Sequence, residues 1–300
     1  MDQADQAIPR RGANRRNITM MLIAAAVFSL MDMAMKLLSA HYPAMQVAAL
    51  RALVSLPLVG AYVVWRGAHR TLLQIRWPMH LLRAVLGIAM LALFAYGLKT
   101  LSLAEAYTIF FIAPALITAL SVVFLKERVN RGQWLAIAVG MGGVLVALRP
   151  SGAGFFTMGG LAVLCAATFY AVSAISARIL SRTDRSEHMV LWLMVMMAIG
   201  ATALALPGWL PLRAEDTLLL CALAVTGFVG QLAITEAFGS GEASKVAPFE
   251  YSALAWGVGL DWLLWQVLPD HYTMLGAAII IASGIYLIRH EDTHAGAEHP

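Results

Sequence analysis

The sequence predicts an all-α, polytopic membrane protein with ten transmembrane helices arranged as two inverted five-helix repeats. Three observations predict this fold: an apolar composition, ten long apolar segments and a one-sided distribution of basic residues. Hydrophobic residues make up 60% of the 300 residues and charged residues only 13%, about half of the ~25% typical of soluble domains. A soluble enzyme of this length needs a larger polar surface, and disorder needs low hydrophobicity with high charge. Both classes are therefore excluded.

Ten apolar segments have the length of a membrane-spanning helix, which needs ~17–25 such residues. They are Ile18–Ala40, Met45–Trp65, Leu81–Lys99, Leu103–Leu125, Gly132–Leu148, Met158–Leu180, Met189–Leu206, Thr217–Phe238, Val246–Val267 and Tyr272–Ile288. Transmembrane strands are excluded, because they would be alternating segments of ~10 residues. Every connecting loop is short, so no soluble domain is expected.

The basic residues predict the orientation of the helices, because Lys and Arg are enriched in short cytoplasmic loops. With the N-terminus inside, fifteen of the 21 Lys and Arg residues lie on the cytoplasmic side and three on the outer side. The remaining three, Lys36, Arg51 and Arg83, lie within predicted spans. Ten crossings return the chain to its starting side, so both termini are predicted to be cytoplasmic. The basic residues form no nucleic-acid-binding pattern, and no nucleic acid partner is expected.

A weak internal repeat divides the chain. Ala25–Phe28 resembles Ala166–Phe169, and Met33–Ser39 resembles Ile175–Ser181. Each half then holds five helices, and because five is odd, the second half enters the membrane from the opposite side, as in many secondary transporters. The predicted divisions are an N-terminal tail over 1–17, a first repeat over 18–150, a second repeat over 151–289 and a C-terminal tail over 290–300.

One stretch near the end of the fourth helix resembles a known family. It comprises Leu125-Lys126-Glu127-Arg128, then Gln133-Trp134 and Gly142-Gly143-Val144. With ten helices in two repeats of five, the chain resembles the drug/metabolite transporter superfamily, EamA type, over Ile18–Ile288. It looks closest to bacterial members that export amino acids, including aromatic ones.

The second repeat departs from this pattern. Gln266 and Val267 stand where the family has an acidic residue, although Gly276 and Gly284 retain the glycine pattern. The resemblance implies a secondary transporter of the bacterial inner membrane that works by alternating access through a central cavity. An amino acid is the implied substrate, and carriers of other metabolites (nucleobases, sugars or drug-like compounds) are the alternative.

Four charged residues within spans are candidates for the substrate pathway, because a charge at bilayer depth needs a partner or a water-filled cavity. Asp32 and Lys36 are four apart and share one helix face, so they are either a structural ion pair or a cavity-lining pair. Glu250 and Asp261 are eleven apart, which also places them on one face. Either could be a proton-coupling carboxylate, and Glu250 could equally be an interfacial residue.

Charges at the helix ends have a simpler interpretation. Glu127 with Arg128 and Arg131 is interpreted as a salt-bridge set that anchors a loop.

Aromatic and polar residues within spans complete the candidate pathway, since a largely apolar cavity with a few polar groups suits amphipathic small molecules. They are Tyr96, Tyr107, Phe110, Tyr170, Ser173, Gln231, Thr235 and Tyr251. Pro114 interrupts the fourth helix near its middle and is a candidate hinge. Pro248 is a second candidate, although proline is also common in a first helical turn.

Other function classes find less support. The sequence contains no intramembrane protease or metallopeptidase motif and no repeated channel filter, so neither an enzyme nor a channel is expected. Cys165 and Cys221 lack the spacing of a zinc site, and no metal or cofactor is expected. The expected partners are a small-molecule substrate and the lipid bilayer, with the chain acting as a monomer.

Overall fold

The computed structural model describes the backbone of residues 4–101, 103–150, 156–239, 241–266 and 270–296, with side chains for 15–101, 105–150, 156–239, 241–260, 262, 263, 266 and 270–289. All regular structure in these ranges is helical. The α-helices are α1 Ala4–Leu38, α2 Ala44–Trp65, α3 Trp77–Gly97, α4 Leu103–Phe110, α5 Ala113–Leu120, α6 Arg131–Leu148, α7 Met158–Leu180, α8 Ser186–Ala205, α9 Thr217–Ala237, α10 Ala243–Val246, α11 Ser252–Trp265 and α12 His271–Gly296.

Nine segments within the described ranges are long and apolar enough to cross a membrane. The predicted ninth span, Val246–Val267, is not among these nine and is not one continuous α-helix. α10 is followed by a 3-10 turn over Ala247–Tyr251 and then by the 14-residue α11. Pro248 lies in that turn, where its missing N–H removes an α-helical hydrogen bond. The predicted fourth span is likewise divided, into α4, α5 and a π-helical turn over Ser121–Leu125.

The helices pack in a pattern with internal two-fold symmetry. The first helix of repeat one, α1, packs on α9 of repeat two, and the first helix of repeat two, α7, packs on α3 of repeat one. The second helices, α2 and α8, pack on each other, and so do the last helices, α6 and α12. This reciprocity confirms the two inverted five-helix repeats.

Two matched hydrogen-bonded contacts show the same symmetry. The end that holds the α1–α2 and α8–α9 loops is predicted to face outward and is called the outer end. There, the buried Gln46 amide donates to the Leu210 carbonyl over 2.7 Å and accepts from the Leu210 N–H over 2.8 Å. At the inner end, predicted to be cytoplasmic, the buried His188 Nε2 donates to the Ala68 carbonyl over 2.9 Å. Each residue of one contact is 142 positions from its counterpart, the offset at which the two halves resemble each other.

One close helix contact lies between α6 and α12, at glycines. A Cβ on Gly143 would come within 2.8 Å of the Ile280 Cγ1 atom and 2.9 Å of the Gly276 carbonyl oxygen. The neighbouring Gly142 has no atom within 4 Å of its Cβ position. Small residues allow such close backbone approach in membranes, so Gly143 contributes to packing and Gly142 does not.

Gly143→Ala is expected to lower the free energy of unfolding by about 1–2 kcal/mol, because overpacking costs ~1–3 kcal/mol and improved helix propensity returns ~0.5–1 kcal/mol. Gly142→Ala, the matched control, is expected to leave stability unchanged or raise it slightly. Unfolding of both variants in detergent measures the difference. Equal stabilities would contradict the assigned contact.

Candidate functional site

A cavity of about 350 Å³ lies between the two repeats. Its walls come from α1, α2, α3, α7, α8 and α9 and from the two divided spans, whereas α6 and α12 do not reach it. The walls are mainly Ala, Met, Leu and aromatic side chains, with a few polar groups among them. This volume and lining are typical of a small-molecule site.

The structure brings most of the predicted pathway residues to this cavity. Those that line it are Asp32, Tyr107, Phe110, Pro114, Tyr170, Ser173, Gln231, Thr235 and Glu250. They come from both repeats, so the site is completed only when the two halves pack together.

Three predicted pathway residues do not line the cavity, and the side chain of a fourth lies outside the described residues. Tyr96 is 47% exposed near the outer end of α3, and Lys36 is exposed one turn beyond Asp32; neither lines the cavity. Tyr251 is 1% exposed, with its ring 6.0 Å from that of Phe111, and it packs behind the cavity wall. Asp261 is in α11, but its side chain lies outside the described residues.

Two arginines also line the cavity. The sequence analysis identified them only as charges within predicted spans. Arg51 on α2 lies with its Cζ 5.4 Å from the centre of the Phe28 ring, and it interacts electrostatically with Asp32. Arg83 on α3 lies on another wall of the cavity and is buried. The signal that could have found them is the rarity of unpartnered charges within apolar spans.

The two acidic cavity residues differ in their surroundings. The Glu250 carboxylate, carried by the 3-10 turn, accepts a hydrogen bond of 2.9 Å from the Tyr170 hydroxyl. Asp32 forms no hydrogen bond or ion pair with another described side chain, and is exposed to the cavity. It is therefore the carboxylate most available to a bound cation.

Aromatic rings form a connected cluster along one side of the cavity. The Phe94 ring lies 5.4 Å from that of Phe110 and 5.7 Å from that of Tyr107, and Phe110 lies 5.6 Å from Tyr170. Tilted and edge-to-face rings at this spacing make favourable contacts. The cluster provides a surface for an apolar or aromatic part of a ligand.

Pro114 lies where the fourth span divides. It occupies the first turn of α5, so it lacks the N–H that a continuous helix would donate to the Phe110 carbonyl. Its own carbonyl accepts from the Thr118 hydroxyl over 2.9 Å. A divided helix beside a cavity is a suitable place for bending.

Pro114→Ala is expected to slow transport several-fold without lowering thermal stability, because the restored N–H can join α4 to α5 and stiffen the span. Pro57→Ala is the matched control, since Pro57 is also inside a helix but is exposed and away from the cavity. Initial transport rates in proteoliposomes and unfolding temperatures in detergent measure both effects. A Pro114→Ala protein that transports at the normal rate would exclude the hinge.

Glu127 connects the repeats at the inner end. Its carboxylate accepts hydrogen bonds from the Ala243 N–H, the Ser244 N–H and the Ser244 hydroxyl at 2.9, 2.9 and 2.6 Å. The predicted salt-bridge set with Arg128 and Arg131 is therefore not its main role. The sequence could not reveal the true partner, which is 116 residues away.

Several known proteins are similar to this chain over most of its length. The pseudopaline exporter of Pseudomonas aeruginosa is 27% identical over 277 residues, which cover 92% of this chain and 96% of that protein. The riboflavin transporter of Vibrio cholerae is 27% identical, with coverage of 90% and 92%. The S-adenosylmethionine uptake transporter of Rickettsia conorii is 26% identical, with coverage of 89% and 90%.

A solved crystal structure superposes on this chain with a TM-score of 0.78 at 18% sequence identity, covering 92% of this chain and 96% of that one. Similarity of this degree supports the fold alone. The model of the EamA-like transporter family matches residues 15–149 and 157–289, one segment in each predicted repeat. This chain therefore belongs to the EamA-like transporter family and is a multi-pass membrane protein that transports a small molecule.

Proposed function

We propose that the protein is a secondary transporter that exports amino acids, including aromatic ones, across the bacterial plasma membrane. It works by alternating access through the cavity between its repeats, and both termini are cytoplasmic. The observation that carries the proposal is the combination of opposite charges and aromatic rings on the walls of one cavity. An amino acid needs both kinds of surface.

The charges are suited to a zwitterion. Asp32 can bind the ammonium group, and the cavity arginines can bind the carboxylate by charge-assisted hydrogen bonds. The cluster of Phe94, Tyr107, Phe110 and Tyr170 can contact the side chain of the substrate. Inverted repeats of this kind open alternately toward each side of a central site.

The names of the relatives favour a second candidate, a carrier for another class of metabolite. They describe one exporter, one uptake transporter and three different small molecules. The cavity's aromatic surface would also accept a planar heterocycle.

Counterflow in proteoliposomes tests the proposal. Vesicles loaded with an unlabelled compound are mixed with its labelled form, using a panel of amino acids, nucleobases and sugars and protein-free vesicles as the control. We expect transient accumulation of labelled aromatic amino acids. Counterflow with another class and with no amino acid would contradict the substrate and leave the carrier mechanism standing. The same vesicles under an imposed proton gradient test Glu250 and Asp261, whose coupling role requires a dependence on that gradient.

A further inference from the structure

Arg83 is a buried cation in the cavity wall that has no ion-pair partner among the described residues. Its relative exposure is 4%, and its Nε and Nη1 atoms have no hydrogen-bond partner in the described part of the chain. No acidic side chain among the described residues forms an ion pair with it. A buried charge without a partner is strongly unfavourable. The burial of the Arg83 guanidinium therefore raises the free energy of the substrate-free protein, and the described side chains do not offset this.

The other cavity arginine is different. Arg51 interacts electrostatically with Asp32 and lies over the Phe28 ring, a cation–π arrangement. Two groups of the protein thus already stabilise the charge of Arg51. Arg83 is the cavity cation that still needs an anion.

Among the described residues, none supplies an anion that pairs with Arg83. α3 also lines the cavity with Gly87 and Leu91, and α8 lines it with Met194 and Met197. A Cβ on Gly87 would lie 3.0 Å from the Met197 sulfur, so Met197 packs closely against this glycine. These parts of the cavity wall are apolar.

The Asp184 carboxylate, which contacts α3 one turn from Arg83, already has partners. His80, one turn from Arg83 and close enough to interact with it electrostatically, hydrogen-bonds to Asp184 over 2.9 Å. Burial alone would raise the pKa of Asp184, but hydrogen bonds from the Arg76 N–H, His80 and the Thr183 hydroxyl hold that pKa below its usual value. Glu187, at the start of α8, is likewise paired with Arg66 at 2.9 Å.

We propose that Arg83 is the anion-binding residue of the cavity and that the transported molecule must carry a carboxylate or a similar anionic group. This inference rests on the proposed function only in placing the substrate in this cavity. The guanidinium binds the anion through charge-assisted hydrogen bonds, and the binding relieves the unfavourable burial of the cation. Arg83 thus binds the anionic group of the substrate, and Asp32 binds the ammonium group.

Three compounds with the same side chain test the proposal on the unaltered protein. Labelled phenylalanine is competed in counterflow by unlabelled phenylalanine, phenylalaninamide or phenethylamine. We expect phenylalanine to compete at least about tenfold better than the other two, the loss expected for a hydrogen bond to a charged group. Equal competition by all three would overturn the proposal. This comparison does not depend on any variant folding.

Variants of Arg83 test the same residue directly. Arg83→Gln is expected to lose about tenfold or more in apparent affinity for phenylalanine, and Arg83→Lys is expected to recover part of it because it keeps the charge. Arg70→Gln, which removes an exposed arginine outside the cavity, is the matched control. A folded Arg83→Gln protein with normal affinity for phenylalanine would overturn the proposal.

Failure of this inference and failure of the proposed function give different results. Transport of amino acids without preference for the carboxylate would refute the anion-binding residue and retain the function. Transport of carboxylic acids or organic phosphates that lack an ammonium group, with dependence on Arg83 and without transport of amino acids, would refute the function and retain the anion-binding residue. Testing a carboxylate and a phosphate separately identifies the anion.

Discussion

Asp32→Asn is expected to lower the apparent affinity for substrate about tenfold or more while leaving the protein folded. Asp32 faces the cavity without a hydrogen bond to another described side chain, so its removal disrupts no internal bond. The substitution removes the negative charge that would bind an ammonium group, and a hydrogen bond to a charged group contributes ~1.5–3 kcal/mol. It also leaves Arg51 without the carboxylate that balances its charge.

Concentration-dependent counterflow measures this affinity, and unfolding in detergent checks the fold. Glu215→Gln removes an acidic residue that is exposed at the outer end, away from the cavity, and serves as the control. If Asp32→Asn transports phenylalanine with normal affinity, the ammonium group binds elsewhere. If Asp32→Asn and Glu215→Gln lose affinity equally, the loss comes from the change in the net charge of the protein and not from a carboxylate in the cavity.

Glu127→Ala is expected to lower the free energy of unfolding by about 3 kcal/mol. Three donors at the start of α10 lose their acceptor, and a buried donor left without a partner costs ~1–3 kcal/mol. Glu127→Gln keeps one acceptor oxygen and is expected to have an intermediate stability. Unfolding in detergent gives both values.

Glu242→Gln is the control for Glu127. It removes a carboxylate from the same end of the molecule, where the Glu242–Lys245 pair at 3.3 Å is only partly buried, and such pairs contribute ~0–1 kcal/mol. Equal destabilisation by the two substitutions would show that Glu127 has no special role in joining the repeats.

The span-forming segments and their inverted arrangement follow from composition, apolar length and parity, which depend on local sequence. The divided ninth span does not follow, because apolar length alone does not show that the residues around Pro248 form a 3-10 turn. The prediction placed a continuous helix there, and the effect of one missing N–H depends on what the neighbouring helices can accommodate.

Arg83 shows a second limit. The predicted third helix begins at Leu81, whereas the observed helix begins four residues earlier, at Trp77, and Arg83 is nearly two turns inside it. The sequence identified Arg83 as a charge within a span, but it did not show that this residue lines the cavity.

Sequence spacing predicted that Asp32 and Lys36 share a helix face but not where along that face the cavity ends. Asp32 lines the cavity, and Lys36, one turn further along and two residues before the end of α1, does not. The extent of the cavity is set by packing against distant helices, such as α1 against α9. Spacing within one helix carries no information about that packing.

The matched contacts of Gln46 with Leu210 and of His188 with Ala68 have a consequence for energetics. Each buried side chain of one repeat holds the other repeat by hydrogen bonds to a loop backbone, so opening either end breaks buried bonds. Glu127 adds three such bonds at the inner end. Both ends are thus closed by specific bonds as well as by apolar packing, which disfavours opening of both ends at once, the state in which a carrier would leak.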